Sequence, residues 1–190
     1  ARLKDEAISN PGDTAIFYRT NAQSRSFEEA FLRSAIPYKV VGGVRFYERK
    51  EIKDFLAYLK LLVNPTDEVS LRRVINTPKR GIGDRALDIV QEVATAESTS
   101  MWDALTLAGD QLPARSSVAI ADFVALIKTL QTLVEAKSKP SDIAQAVLEQ
   151  SGLLQELQNS NDPQDESRIE NLQELVAVAT VSYTHLRAHE

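Results

Sequence analysis

The spacing of hydrophobic residues changes along the chain near residue 47. Before that point, residues 14–18 and 38–41 are short apolar runs of the kind that buried parallel strands show. Between them lies a helical pattern that begins at Ser24 or Ser26. A strand, a helix and a strand in this order predict a compact βαβ unit of a parallel sheet. Because two strands do not complete a sheet, we expect the missing strands to lie outside this chain.

From about Tyr47 onward, apolar residues recur at three-residue and four-residue spacing, which predicts an all-α region. The apolar face of its first helix is predicted to comprise Ile52, Phe55, Leu56, Leu59, Leu62 and Val63. Further helices are predicted at about 67–76, 84–96, 100–108, 114–136, 141–158 and 167–179. In the longest of these helices, the residues predicted to face the core of a helical bundle are Ile120, Phe123, Ile127, Leu130 and Val134. The predicted fold class is therefore α/β plus all-α, with a partial parallel sheet followed by a helical subdomain.

Composition restricts the class of protein. With 190 residues, of which 43% are hydrophobic, the chain is typical of a soluble globular protein. No continuous apolar run reaches the roughly 18 residues that span a bilayer. The absence of cysteine excludes disulfides and thiolate metal sites and fits a reducing cytoplasm.

The distribution of charge is more informative than its sum. A net charge of -5 argues against a generic nucleic-acid binder. However, residues 1–90 carry 16 basic and 12 acidic side chains, a balance of +4, and the remainder carries -9. Any nucleic-acid contact is therefore expected in the first half of the chain.

A segment at residues 76–84 combines a helix stop, two cations and a Gly-x-Gly turn. Gly81 and Gly83 can adopt positive φ and leave backbone amides exposed to an anion, while Lys79 and Arg80 supply positive charge. Asp84 is predicted to cap the helix that follows, whose N-terminus favours a nearby phosphate. The pattern thus predicts a phosphate-binding loop, and an ordinary helix-helix turn with solvated cations is the alternative.

Four segments together resemble a known family. Residues 16–25, 42–54, 76–83 and 167–175 closely resemble, in the same order, segments of superfamily 1 DNA helicases of the UvrD/PcrA/Rep type. The resemblance covers about residues 1–179. It implies that residues 1–47 belong to the second RecA-like motor domain, called 2A. Residues 48–180 would form the inserted helical subdomain 2B, which touches duplex DNA.

The resemblance also implies site residues. Arg19 and Asn21 would contact the single strand, although Asn21 could instead cap the next turn and Arg19 could pair with a carboxylate. Arg49 and Glu51, together with their neighbours Arg45 and Lys53, would organise the junction between domains. Contacts to duplex DNA are implied for Thr77, Lys79, Arg80, Gly81, Ile82, Gly83 and Arg85.

The whole helicase would use ATP and Mg²⁺ and move 3′ to 5′ in the cytoplasm, and its partners would be single-stranded DNA, duplex DNA and the remaining motor domains of the same chain. No membrane is implied. This chain has no Gly-x-x-x-x-Gly-Lys-Ser/Thr loop, so we expect it to bind neither cofactor itself. Two alternatives remain: a non-enzymatic helical adaptor that binds a protein through its acidic half, and a relative from the helicase-nuclease branch.

The last ten residues, 181–190, depart from the helicase pattern. They resemble translated sequencing-adapter read-through, so we interpret them as a non-native tail. The tail contains His185 and His189, whose i, i+4 spacing would suit a metal site, but two ligands with no third partner do not predict one.

The missing phosphate loop generates a first prediction. The purified chain should show no DNA-stimulated ATP hydrolysis, because it lacks the backbone cradle and lysine that hold a nucleotide's phosphates. Phosphate release measured with and without duplex DNA, against a protein-free blank, tests this. Hydrolysis that co-purifies with the chain through successive columns would contradict it.

Overall fold

The computed structural model describes residues 11–41 and 43–187, except for the side chains of residues 11, 21 and 180–187. Helices are the only regular secondary structure in the described part of the chain. Its α-helices are α1 (Ser24–Arg33), α2 (Lys50–Val63), α3 (Glu68–Val74), α4 (Asp84–Ala96), α5 (Met101–Leu107), α6 (Ala114–Glu135), α7 (Pro140–Gln150), α8 (Leu153–Gln158) and α9 (Asp165–Arg187). Single 3₁₀ turns occur at Pro11–Asp13, Asn21–Gln23, Phe46–Glu48 and Gly109–Gln111.

The predicted βαβ unit is wrong. Residues 14–18 and 38–40 have no regular secondary structure, Val41 lies in a bend, and no strand occurs among the described residues. Each segment leaves a large apolar side chain exposed, with Phe17 93% exposed and Val41 84% exposed. A parallel strand is stabilised by hydrogen bonds to neighbouring strands, and neither segment pairs with another strand among the described residues. The fold class of the described chain is therefore all-α rather than α/β plus all-α.

One predicted helix divides in two. The segment predicted as one helix at 141–158 forms α7 and α8, because Gly152 adopts a left-handed conformation with φ of +84°. A residue in this conformation directly after a helix ends it, and glycine is the residue that adopts it at least cost. The elbow between α7 and α8 lies against Pro78, which contributes to the candidate site.

Helix α2 lies at the centre of the core and packs against α3, α6, α7 and α9. The predicted apolar face is correct for Ile52, Phe55 and Leu62, but Val63 is 78% exposed at the end of the helix. Tyr58 and Leu61 are fully buried and were not predicted, because α2 is covered on more than one side. The fully buried side chains of the region include Phe46, Ile52, Tyr58, Leu61, Leu71, Ile75 and Ile82.

Helix α6 supplies the opposite wall of this core. Ile120, Phe123, Ile127 and Leu130 are buried as predicted, and Val134 packs partly buried against them. By length and composition α6 could cross a membrane, with 22 residues and a mean hydropathy of 1.6. A core helix of a soluble protein passes the same test, and the buried residues of α6 face α2, α5 and α7.

Polar contacts join the N-terminal segment to the helical region. The Glu28 carboxylate is buried and accepts hydrogen bonds from the Phe46 amide at 3.2 Å and the Tyr38 hydroxyl at 3.2 Å. Arg25 of α1 pairs with Glu174 of α9 at 3.2 Å. These bonds fix α1 against the start of α2 and the middle of α9.

A second polar cluster lies beside the first. Arg49 donates to Ser24 Oγ at 2.9 Å and to Asn171 Oδ1 at 2.7 Å, and Asn171 donates through Nδ2 to Glu51 at 2.7 Å. Burial lowers the pKa of Arg49, an effect that the nearby carboxylates of Glu51 and Glu28 oppose. Three of the segments that carry the family resemblance therefore meet here.

Tyr58 links the core to the end of α3. Its hydroxyl donates to the Thr77 carbonyl at 2.6 Å and accepts from Arg80 Nη2 at 2.8 Å. Burial raises the pKa of Tyr58 to about 12, and the Arg80 charge only partly opposes this. The folded state therefore favours the protonated phenol.

The raised pKa predicts an alkaline loss of stability. Because the folded pKa of about 12 exceeds the ordinary value of 10.0, the stabilisation is fully present below pH 10 and is lost between pH 10 and 12. The loss should approach about 1.4 kcal/mol per pH unit. We expect the difference in unfolding free energy between the unmodified chain and Tyr58→Phe to shrink across this window, as measured by urea denaturation at pH 9, 10.5 and 11.5. A difference that does not change with pH would show that the phenol does not titrate with folding.

Candidate nucleic-acid interface

The candidate interface is the loop at residues 76–83, between α3 and α4, together with the first turn of α4. The preceding helix ends at Val74, and Ile75 is fully buried beneath the loop. The Thr77–Pro78 peptide bond is cis, and Gly81 has a φ of +82°. The positive φ at Gly81 agrees with the sequence prediction for this turn, whereas Gly83, with φ of -90°, does not adopt one.

The Asn76 side chain holds the loop from within. Its carbonyl oxygen accepts hydrogen bonds from the Arg80 amide at 2.8 Å and from the Ile82 amide at 3.3 Å. The Ile82 side chain is only 1% exposed and anchors the same turn in the core. The sequence prediction did not assign a role to Asn76, although a short amide side chain before a Gly-rich turn is a common turn-stabilising residue.

Arg80 points into the protein. Its guanidinium lies 5.4 Å from the centre of the Phe123 ring. Its terminal nitrogens donate to Val74 O (3.2 Å), Pro78 O (3.1 Å), Ser151 O (2.7 Å) and the Tyr58 hydroxyl (2.8 Å). A cation beside the last carbonyls of a helix is favoured by the helix dipole and satisfies acceptors that have no partner within the helix.

Thr77 also has an internal role, since its carbonyl accepts from Tyr58 and its amide donates to Val74 O at 3.0 Å. The predicted set of contact residues in this loop therefore divides in two. The members that hold the loop against the core are Arg80, Ile82 and Thr77. Its exposed members are Lys79, Gly81, Gly83 and Arg85.

The exposed surface offers backbone donors as well as cations. Gly83 is the N-cap of α4 and makes no side-chain cap bond, so the prediction that Asp84 is the cap is wrong by one residue. Asp84 is instead the first residue of the helix. Within the described chain, no protein acceptor is bonded to the amides of Gly81, Gly83, Asp84 or Arg85. Free amides at the start of a 13-residue helix favour an anionic ligand.

A further cation comes from α6. The guanidinium of Arg115 lies over Gly81, so that a Cβ built on that glycine would stand 3.4 Å from Nε and 3.7 Å from Nη2. Arg115 is exposed, and the sequence prediction missed it. The two residues are 34 positions apart, and no local pattern signals their contact.

The predicted single-strand contacts lie elsewhere. Arg19 is exposed beside a cleft of about 270 Å³ whose other walls include Glu166 and Glu170 of α9. None of the loop residues lines this cleft. The Arg19 amide donates to Gln23 Oε1 at 2.9 Å, which stabilises the turn at Asn21–Gln23. The Asn21 side chain lies outside the described residues.

The described residues contain no group of three or more acidic or histidine side chains placed to hold a metal ion. His189 and the side chain of His185 lie outside the described part of the chain.

Comparisons with known proteins identify the family. The family model described as "UvrD-like helicase C-terminal domain" matches residues 2–185. The chain is 50% identical over 171 residues to a Mycobacterium tuberculosis protein named ATP-dependent DNA helicase UvrD1, covering 88% of this chain and 22% of that protein. Identity to DNA helicase II of Haemophilus influenzae is 45% over 166 residues, covering 86% of this chain and 23% of the relative.

A Staphylococcus aureus protein named ATP-dependent DNA helicase PcrA is 40% identical over 179 residues, covering 87% of this chain and 23% of the relative. The chain thus spans between a fifth and a quarter of the length of these relatives. The resemblance seen in the four sequence segments is confirmed, and the chain belongs to the UvrD-like helicase C-terminal domain family.

Proposed function

We propose that this chain is part of an ATP-dependent DNA helicase and that the loop at residues 76–83, with the first turn of α4, holds duplex DNA by its phosphate backbone. The relatives named above are DNA helicases, which supports DNA as the ligand. The observation that carries the proposal is the division of the loop into an internally bonded base and an outer face of exposed cations and free amides.

The internal bonds give the outer face a fixed shape. Asn76 and Arg80 hold the turn before any ligand arrives, so that binding does not have to order the loop. Lys79 and Arg85 then supply charge, and the amides of Gly81 and Gly83 supply short-range donors. Such contacts recognise phosphates rather than base edges, which suits a protein that must hold every sequence it passes.

The remaining functions are assigned to other parts of the whole protein. In this proposal ATP and Mg²⁺ bind to motor domains that this chain lacks, and the motor moves 3′ to 5′ in the cytoplasm. Residues 1–47 belong to motor domain 2A and residues 48–180 to subdomain 2B. The exposed Phe17 and Val41 contact the rest of the motor domain, while Arg19 and Asn21 contact the single strand.

The proposal predicts how duplex affinity responds to the loss of charge. Lys79→Ala and Arg85→Ala should each weaken binding equally on two unrelated duplexes. Each should lower the slope of log affinity against log salt by about 1, because each removes one contact that releases a counterion. Fluorescence anisotropy of labelled duplexes at several salt concentrations measures both quantities.

Lys128→Ala is the matched control, since Lys128 is an exposed cation of α6 far along that helix from the loop. It removes the same charge from the protein and should leave affinity and slope nearly unchanged. If all three variants behave alike, the loop is an ordinary turn and the adaptor alternative is favoured. Arg80→Ala is not a clean test, because it also removes the bonds that hold the loop.

A second prediction tests the close approach of the backbone. Gly83 has φ of -90° and ψ of 171°, and a Cβ built there meets no atom within 4 Å. Gly83→Val should therefore create no clash and leave the chain folded, with a somewhat lower melting temperature because valine is a poorer N-cap than glycine. It should weaken duplex binding by obstructing the adjacent amides. Full affinity in this variant would show that DNA does not approach the loop at Gly83.

A further inference from the structure

We propose that Arg115 of α6, which lies against Gly81, makes a further contact to the phosphates of duplex DNA. It would bind them together with the loop at residues 76–83. This inference rests on the proposed function of the loop and extends the site to a second helix. The loop supplies one wall of the phosphate site, and the N-terminal turn of α6 supplies the other.

Arg115 lies within contact distance of Gly81. A Cβ at position 81 would stand 3.4 Å from Nε, 3.7 Å from Nη2 and 3.8 Å from Cζ of Arg115, which are ordinary van der Waals distances, so the guanidinium lies beside the glycine. The positive φ of Gly81 is the reason for glycine at this position, and the guanidinium packs against it. The exposed guanidinium therefore lies next to a residue whose amide has no bonded acceptor among the described residues.

The partners of the arginines distinguish Arg115 from its neighbours. Arg72 donates to Glu68 at 2.7 Å, Arg73 pairs with Asp54 at 2.8 Å, and Arg80 is bonded inside the loop. Among the described residues, no hydrogen-bond acceptor or carboxylate is bonded to the exposed guanidinium of Arg115. Its donors therefore remain available to an anion, and the planar fork of a guanidinium matches two phosphate oxygens.

Helix stability does not account for a cation at this position. Arg115 is the second residue of α6, and the first turn of this helix carries no acidic side chain. A positive charge near a helix N-terminus opposes the helix dipole. Removal of the charge should therefore leave the melting temperature of the chain unchanged or raise it, so a loss of binding in Arg115→Ala would not arise from unfolding.

The test uses the 190-residue chain and two duplexes of unrelated sequence. Arg115→Ala should weaken binding to both and lower the salt slope by about 1, with an unchanged or higher melting temperature. Arg115→Lys keeps the charge and should retain the slope. Lys128→Ala is again the control, since it removes a cation from the same helix about 20 Å from Arg115 along the axis.

Comparison with the loop variants separates this inference from the proposed function. If Lys79→Ala and Arg85→Ala lower the slope but Arg115→Ala behaves like Lys128→Ala, the loop binds DNA and the role of Arg115 is refuted. If none of the variants differs from Lys128→Ala, both proposals fail. A lower slope in Arg115→Ala that Arg115→Lys restores supports the contact.

Discussion

The arrangement of the candidate interface depends on one partly buried cation, the guanidinium of Arg80. It donates to backbone carbonyls at the end of α3 and at the elbow between α7 and α8, and to the hydroxyl of Tyr58 in α2. Its contact with the Phe123 ring adds α6 to the same junction. Four separate parts of the chain therefore meet on a single side chain. Charged donors form stronger hydrogen bonds than neutral ones. Loss of the Arg80 guanidinium would therefore remove a strong donor from several oxygen acceptors at once. The conformation of the loop follows from these bonds rather than from the glycines alone.

This arrangement gives the cations of the loop two different uses. Adjacent residues, Lys79 and Arg80, have the same charge, but one is exposed and the other is bonded inside. The exposed Lys79 is hydrated until an anion replaces its water, whereas the partly buried Arg80 fixes the backbone that carries the free amides. A rigid cradle loses little conformational entropy when it binds, which favours phosphate contacts that must form and break repeatedly. Arg80 thus favours binding by fixing the loop, even though its guanidinium does not face the ligand.

Sequence reasoning was accurate where a structural feature is encoded locally. The helical spacing of Ile120, Phe123 and Ile127 identified a core face, and the Gly81 turn was correctly expected to allow positive φ. The strands at 14–18 and 38–41 were wrong because an apolar run becomes a strand only when other strands pair with it, and the described chain has none. The inward direction of Arg80 and the position of Arg115 over Gly81 depend on residues 71 and 34 positions away. Contacts at such separations arise from the packing of helices, which no local pattern of residue types specifies.

Helix α2 connects the two polar centres of the molecule. At its first turn, Glu51 accepts from Asn171 in the cluster that ties α1 and α9 together. Two turns later, Tyr58 bonds to Arg80 and to the Thr77 carbonyl at the base of the loop. The seven residue steps from Glu51 to Tyr58 span about 10 Å of a regular helix, and the intervening Ile52 and Phe55 are buried in the core. A close-packed helix of this length transmits displacement rather than absorbing it. The N-terminal segment and the loop are therefore joined by one rigid element, so that the position of the phosphate cradle is set relative to α1 and α9 by the packing of α2.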